Sequence, residues 1–290
     1  MAVSTTTAPE LTAEQVQKIL VKPLEAASLF LAAGPRIFDS ANQIRIPKLG
    51  APTTPDWVGE NEQIVDENVD FDELVLLPST MKSVKVLTRF SNELARQSVI
   101  ALDAALKARL VKDVADKIDG QFFSASGDGV TTPEGMFAWS GTQTVAVGGE
   151  LTLDHLLDAW GKALAANVAM TRLRWVMTPR EFTALRKVKD TQERYQLTPD
   201  PTADGVFRLF GAPVLVTGRV PDTTGSPATG RAALVDFSQI AVARDLAPSV
   251  TVLDQTFGDY DQQAIRVVAR YDAGPLNAEA IVKLTGIALP

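Results

Sequence analysis

The sequence contains no cysteine and only one histidine, His155, and both shortages exclude classes of chemistry. Without thiols there can be no disulfide, no cysteine nucleophile and no zinc–cysteine site. One histidine cannot supply a metal triad, and the G-x-S-x-G elbow of many serine hydrolases is absent. Because His155 follows Thr152, which is placed to cap a helix, we interpret it as a solvated residue of the first helical turn.

Long apolar runs and an excess of positive charge are missing as well. No segment approaches the ~20 apolar residues that span a bilayer. The first twenty residues hold one basic residue, Lys18, and lack the pattern of a secretory signal. A net charge of -7 argues against a broad nucleic-acid-binding surface. With 290 residues and 46% hydrophobic composition, the chain is expected to be a soluble globular protein that does not associate with membranes.

The charge that is present is distributed unevenly. Residues 56–73 contain eight acidic residues and no basic one. Residues 82–112 contain seven basic residues against two acidic ones. Two segments of opposite charge therefore follow each other closely in the sequence. This suggests that one segment binds a partner surface whose charge has the same sign as that of the other segment.

Residues 41–81 are predicted to form a long hairpin. Alternating apolar residues predict strands at 43–47 and 83–89, and residues 73–77 predict a strand that leads back. An excursion of more than thirty residues in a compact domain needs a function or a partner. Trp57 stands near its tip, where one chain has nothing to bury it against, so we predict that it contacts a partner.

Helix signals follow in the middle of the chain. Apolar residues recur every four positions from Leu102 to Phe122 and predict a long amphipathic helix at 99–122, capped by Ser98. Thr152 is predicted to cap a second helix, and the sequence from Thr178 to Glu181 is a capping box that begins a third helix reaching about residue 189. Further strands are predicted at 174–178, 212–217, 232–237, 240–243, 250–253, 264–270 and 278–284.

Two motifs resemble ligand sites but fail on detail. The alternating acidic residues that begin at Asp66 resemble a calcium loop, but Phe71 and Leu77 replace the required Gly and Glu. The glycines at 127–135 follow a helix, and no Gly-Lys-Ser/Thr comes after them, which favours an ordinary turn over a nucleotide site. We therefore predict no catalytic residue, no metal ligand and no cofactor.

The order of several motifs is similar to that of a known family. These motifs are Trp57-Val-Gly-Glu60, Phe71 through Pro78, the strand 82–88, Ser91-Asn-Glu-Leu94, Lys117-Ile-Asp-Gly-Gln-Phe122, Gly127 through Met136 and Ala264 through Asp272. In this order they resemble the major capsid proteins of tailed bacteriophages, which have the Hong Kong 97-like fold. The resemblance covers nearly the whole chain.

The resemblance implies an α+β fold with four parts. Residues 1–40 would form an N-terminal arm, and 41–81 the extended β-hairpin called the E-loop. Residues 82–132 and 259–290 would form a peripheral domain with a long spine helix. Residues 133–258 would form an axial α/β domain.

The function that the resemblance implies is that of a structural protein, not an enzyme. Its copies would assemble in the host bacterial cytoplasm into pentamers and hexamers of an icosahedral phage head, the virion shell around double-stranded DNA. Implied partners are other copies of the chain, a portal protein, possible separate scaffolding and decoration proteins, and DNA contacted non-specifically.

In this family the E-loop lies over a neighbouring subunit near its spine helix, which gives the uneven charge a role. We hypothesise that the acidic return strand pairs with the basic start of the neighbour's spine. The predicted inter-subunit contacts are Trp57, Glu60, Asp66, Glu67, Asp70, Asp72, Arg89, Arg96, Lys107 and Arg109.

Some expectations stay open at the level of sequence. The arm begins about 40 residues before the E-loop, which favours a separate scaffold or none over a cleaved scaffolding segment. Lys48 and Asn277 are present, but no motif matches closely enough to predict the lysine–asparagine crosslink of some members. The alternative functions are an encapsulin-type nanocompartment shell and, more remotely, an α/β enzyme.

Overall fold

The computed structural model describes residues 27–40, 42–49, 57, 60, 71–77, 82–91, 102–197, 207–245, 249–253 and 260–289. Within them lie four α-helices: α1 (Leu29–Ala32), α2 (Leu102–Phe122), α3 (Leu153–Ala165) and α4 (Pro179–Arg186). The strands are β1 (Arg36–Asp39), β2 (Ile44–Leu49), β3 (Phe71–Leu76), β4 (Ser83–Ser91), β5 (Gln143–Gly149), β6 (Leu173–Met177), β7 (Arg208–Leu209), β8 (Ala212–Val216), β9 (Thr229–Asp236), β10 (Ile240–Arg244), β11 (Ser249–Leu253), β12 (Gln262–Pro275) and β13 (Ile281–Ala288).

The helix signals of the sequence are confirmed where the structure describes them. The α2 helix ends at Phe122 as predicted; its predicted first turn and Ser98 lie outside the described residues. At α4 the Thr178 hydroxyl accepts a hydrogen bond from the Glu181 amide, and Pro179 occupies the first turn. At α3 the amide of Thr152 donates to Nδ1 of His155, so the only histidine helps to cap its own helix.

The strands form two large sheets and one hairpin. The five-stranded sheet has the order β1-β10-β12-β11, with β4 also paired to β12. The six-stranded sheet has the order β5-β13-β9-β6-β8-β7, and β2 pairs with β3 alone. The hairpin and the mixed α+β character are as predicted. The predicted strand at 278–284 begins only at Ile281, because the Asn277 side chain caps a 3-10 turn at Ala278–Ala280.

The two large sheets share one apolar core. The buried stripe of α2, with Val114 and Ile118, packs in the same cluster as Ile265 of β12 and Ile281 of β13. A second cluster lies under α3 and α4, where Leu156 and Leu185 share a core with strands of the six-stranded sheet. The long helix therefore supports both sheets.

Two strands lie in a different sheet from the one that the predicted domain ranges suggest. β13 falls in the predicted peripheral range, yet its partners are β5 and β9. β10 falls in the predicted axial range, yet it pairs with β12. The chain crosses between the sheets at the 3-10 turns Phe237–Gln239 and Ala278–Ala280, and short turns of this kind leave no signal for a domain boundary in the sequence.

The described end of the predicted N-terminal arm is part of the body of the protein. Phe30 of α1 is fully buried among the rings of Phe122, Phe123 and Phe237, with centroids 5.0, 5.2 and 5.5 Å away. β1 adds a parallel strand beside β10. Neither element was predicted. The predicted helix at residues 12–22 lies outside the described residues.

Candidate assembly surfaces

The E-loop hairpin is fixed to the body at its base. β2 and β3 pair in register from Ile44 opposite Leu76 to Leu49 opposite Phe71. Leu76 and Leu77 are buried against Ala241 and Ala243 of β10. A Cβ at Gly274 of β12 would lie 2.9 Å from a Leu74 methyl, so the leucine side chains of the hairpin pack closely over this glycine.

A buried ion pair lies beside this contact. Nζ of Lys82 lies 2.7 Å from Oδ2 of Asp272, and both side chains are almost completely buried. The same carboxylate oxygen accepts a hydrogen bond of 2.9 Å from the amide of Leu77. Asp272 therefore fixes the chain both before and after residues 78–81, at the base of the hairpin.

The outer face of the five-stranded sheet is basic. Lys85, Leu87 and Arg89 alternate on β4 and are exposed, and Leu87 lies opposite exposed Arg266 of β12. The inner face carries Val84 and Val86, which pack against the α2 core. Alternation along β4 therefore separates a core face from a charged face that is available to a partner.

The structure places some of the predicted contact residues. Trp57 and Glu60 are exposed, as expected for the distal part of the hairpin. Arg89 is exposed on β4, and exposed Arg109 on α2 pairs with Asp113 one turn later, with Nε 2.9 Å from Oδ1. Asp72 lies in β3 and Lys107 in α2, but their side chains are outside the described residues. Asp66, Glu67, Asp70 and Arg96 also lie outside the described residues.

The buried carboxylate of Asp119 near the end of α2 left no signal in the sequence. It accepts hydrogen bonds from the hydroxyl of Ser28 and from the amides of Leu29 and Phe30, at 2.8 and 3.2 Å for the two amides. Loss of hydration on burial raises the pKa of Asp119, while these three hydrogen bonds oppose the rise. The carboxylate thus satisfies the free amides at the start of α1 and fixes that segment to the spine helix.

A buried amine joins the segment after α2 to the six-stranded sheet. Nζ of Lys283 on β13 donates to the carbonyls of Phe137 and Trp139, at 2.9 and 2.8 Å. Burial, with a smaller effect of the charge on Arg231, lowers the pKa of Lys283 to about 8. Loss of hydration on burial and repulsion from the positive charge of Arg231 explain why the protonated form is disfavoured.

The glycine-rich segment after α2 forms a turn, as predicted. The carboxylate of Asp128 accepts hydrogen bonds from the amides of Val130, Thr131 and Thr132. Hydrogen bonding, led by the Thr131 hydroxyl, lowers the pKa of Asp128. At Gly127 the φ of 134° favours glycine, and an added Cβ would lie 2.2 Å from a backbone carbonyl oxygen, so no side chain fits. The Asp128 carboxylate therefore stabilises the turn by accepting hydrogen bonds from its amides.

Within the part of the chain that the structure describes, no three His, Cys, Asp or Glu side chains are grouped to hold a metal ion. None of the described helices is both long enough and apolar enough to cross a membrane. The candidate functional features among the described residues are therefore exposed surfaces and the buried contacts that fix segments to the body of the protein.

The fold is that of phage capsids. The structure matches the capsid of a native GTA particle with a TM-score of 0.73 and 20% identity, covering 90% of each chain. It matches a chain of Mycobacterium phage Che8 with a TM-score of 0.59 and 15% identity, covering 98% of this chain and 94% of that one. An α+β architecture with the spine helix, hairpin and two sheets is thus the Hong Kong 97-like capsid fold expected from the sequence.

The sequence comparisons identify the family. The profile of the phage capsid family matches residues 10–286, and the chain belongs to this family. The major capsid protein of Klebsiella oxytoca phage phiKO2 is 23% identical over an alignment of 293 positions that covers 93% of this chain. The chain spans 64% of the length of that relative.

Proposed function

We propose that this chain is the major capsid protein of a tailed phage. Its copies assemble in the bacterial cytoplasm into pentamers and hexamers of an icosahedral head that encloses double-stranded DNA, and it has no enzymatic role. The observation that carries the proposal is the family match over residues 10–286 together with a fold shared with phage capsids over most of the chain. A portal protein and separate scaffolding or decoration proteins are the further partners proposed.

The E-loop is proposed to bind a neighbouring copy through its acidic strand. The partner surface is the basic region that includes Arg89 on the outer face of β4, Arg96, Lys107 and Arg109 at the start of the spine. Each exposed pair contributes only ~0–1 kcal/mol, but the same contact is repeated at every interface of a shell and sets its register. The exposed positions of Trp57, Arg89 and Arg109 support this arrangement.

The test is assembly of the full chain, expressed with and without neighbouring phage genes and observed by negative-stain microscopy and sedimentation. We expect closed shells from the unsubstituted chain and distorted or absent shells when Arg96→Glu and Arg109→Glu are combined. The control is Arg96→Lys with Arg109→Lys, which keeps the charge and should assemble normally. Normal shells from the reversed variant contradict the proposed pairing.

Particle contents distinguish a phage head from a nanocompartment. Shells made together with the packaging genes are expected to hold nuclease-resistant DNA. Shells that hold a dense protein cargo and no DNA under those conditions contradict the phage-head function. A small oligomer that never forms shells contradicts the capsid function as a whole.

A further inference from the structure

One end of the six-stranded sheet carries an exposed aromatic and basic tip. β7 and β8 are joined by the two residues Phe210 and Gly211, with φ of 50° and 83°, because Leu209 pairs directly with Ala212. Such turns favour Asn-Gly or Asp-Gly, since a side chain strains the left-handed region. Phe210 nevertheless occupies this position and is 41% exposed. Strained residues of this kind cluster at active sites and binding sites.

The surroundings of Phe210 extend the same surface. Phe207 is also partly exposed and packs on the ring of Phe182 with centroids 4.9 Å apart. The guanidinium of Arg186 lies 5.2 Å from the Phe207 centroid. Residues 186–211 contain five basic side chains and four acidic ones, of which Asp200 and Asp204 lie outside the described residues. The tip therefore presents aromatic rings beside the exposed basic side chains Lys187, Lys189 and Arg208.

The other end of the sheet carries a surface of opposite charge on α3. This helix packs over β5 and β13, and its outward face exposes Leu157 and Leu164, which are 48% and 52% exposed. Gly161 lies between them, where a Cβ would meet nothing within 4 Å. Asp154 and Asp158 flank this stripe on the same face and are exposed. A glycine inside a helix lowers its stability, and within one copy no close contact requires it.

The two surfaces are complementary and cannot reach each other within one copy. β5 and β7 are the outermost strands of the six-stranded sheet, so the ends lie roughly 24 Å apart at the usual strand spacing. We propose that the tip around Phe210 binds the outward face of α3 on a second copy, with its rings over Gly161 and its basic residues beside Asp154 and Asp158. Different surfaces on the two partners make a head-to-tail contact, which gives a ring of copies when the rotation between neighbours closes.

This inference rests on the proposed self-assembly and adds a specific contact to it. The chain has no cysteine, so Phe210→Cys and Leu164→Cys can be combined and joined with a short bis-maleimide in assembled particles. We expect most of the monomer to shift into a ladder of covalent oligomers on a denaturing gel. Each single substitution should leave the monomer band unchanged, because a head-to-tail contact brings residue 210 of one copy beside residue 164 of the next and not beside its own equivalent.

The matched control combines Phe210→Cys with Val130→Cys, which is 49% exposed but lies in the turn after α2. Particles whose 210/164 pair crosslinks no better than this control overturn the inference while leaving the capsid function intact. Failure of the unsubstituted chain to form shells instead overturns the proposed function.

A charge exchange tests the same contact if the cysteine variant does not assemble. Asp158→Lys should reduce the yield of particles, and adding Lys189→Asp in the same chain should restore it, since both residues are exposed. A yield that the second substitution lowers further overturns the proposed pairing of the two surfaces.

Discussion

Buried charges in this protein are satisfied in different ways at different sites. Asp272 is paired with Lys82, and Asp119 is surrounded by three donors of the Ser28 segment. Lys283 donates to two backbone carbonyls and has no carboxylate partner among the described residues. Removing the only counter-ion of a buried charge lowers the free energy of unfolding strongly. A buried charge that is held by neutral groups instead makes the free energy of unfolding depend mainly on pH. Substitutions at these residues are therefore expected to have different effects.

Lys82→Ala should strongly destabilise the chain, because it leaves the Asp272 carboxylate buried without its counter-ion. The expected loss in free energy of unfolding is about 3–5 kcal/mol. Chemical unfolding measures this loss, with Arg45→Ala as the control, because Arg45 forms an exposed pair with Glu73 worth about 0–1 kcal/mol. Combining Lys82→Met with Asp272→Asn should recover part of the stability, since the amide oxygen still accepts from Leu77. Equal losses for the two alanine variants contradict a special role for the buried pair.

The buried amine of Lys283 should make the chain more stable at alkaline pH. Its pKa is near 8 in the folded chain and near the ordinary 10.5 in the unfolded chain, so the unfolded chain binds more protons between these values. Stability should then rise with pH across this window, with a slope on the order of 1 kcal/mol per pH unit. Unfolding measured from pH 7 to 10.5 should show a flatter profile for Lys283→Met than for the unsubstituted chain. Lys162→Met, at an exposed amine, should keep the original slope.

At the scale of elements, local sequence signals were sufficient to predict helices whose stabilising contacts lie within a few residues. The cap of α4 and the four-residue spacing of α2 depend on neighbours within a few residues, and both predictions are confirmed. α1 and β1 were not predicted because their formation depends on contacts with residues far away in the sequence. The Ser28 hydroxyl bonds to Asp119, 91 positions away, and β1 pairs with β10.

The candidate surfaces likewise include features that the sequence predicts and features that only the structure shows. The two charged segments and the exposure of Trp57 could be inferred from composition and position. The pair that fixes the base of the hairpin could not, because Lys82 and Asp272 are separated by 190 positions and each alone is an ordinary charged residue. Phe210 was missed because only the observed turn shows that its conformation is strained.

Gly161→Ala on α3 should change the stability of the chain and the assembly of shells in opposite directions. Alanine is more favourable than glycine inside a helix by about 1 kcal/mol, and the added methyl meets no atom of the same chain. We expect a higher midpoint of thermal unfolding for the isolated chain and fewer complete shells. Gly218→Ala, at a loop position where a Cβ also meets nothing within 4 Å, is the control and should leave assembly unchanged. A more stable variant that assembles normally argues against close approach at this helix face.

At the scale of the whole molecule, two sheets of different connectivity share one core. The inner faces of both sheets contribute to the cluster around α2, so displacing one sheet exposes apolar residues of the other. Such a body is expected to move as one piece.

The position of β12 and β13 has a consequence for how the protein is made. β12 lies between β4 and β11 and also pairs with β10 in one sheet, and β13 lies between β5 and β9 in the other sheet. Neither sheet can be completed until residues 262–288 have been synthesised, because each lacks an interior strand before then. Chains released by the ribosome before residue 262 would therefore lack an interior strand of each sheet and the residues that β12 and β13 contribute to the shared apolar core.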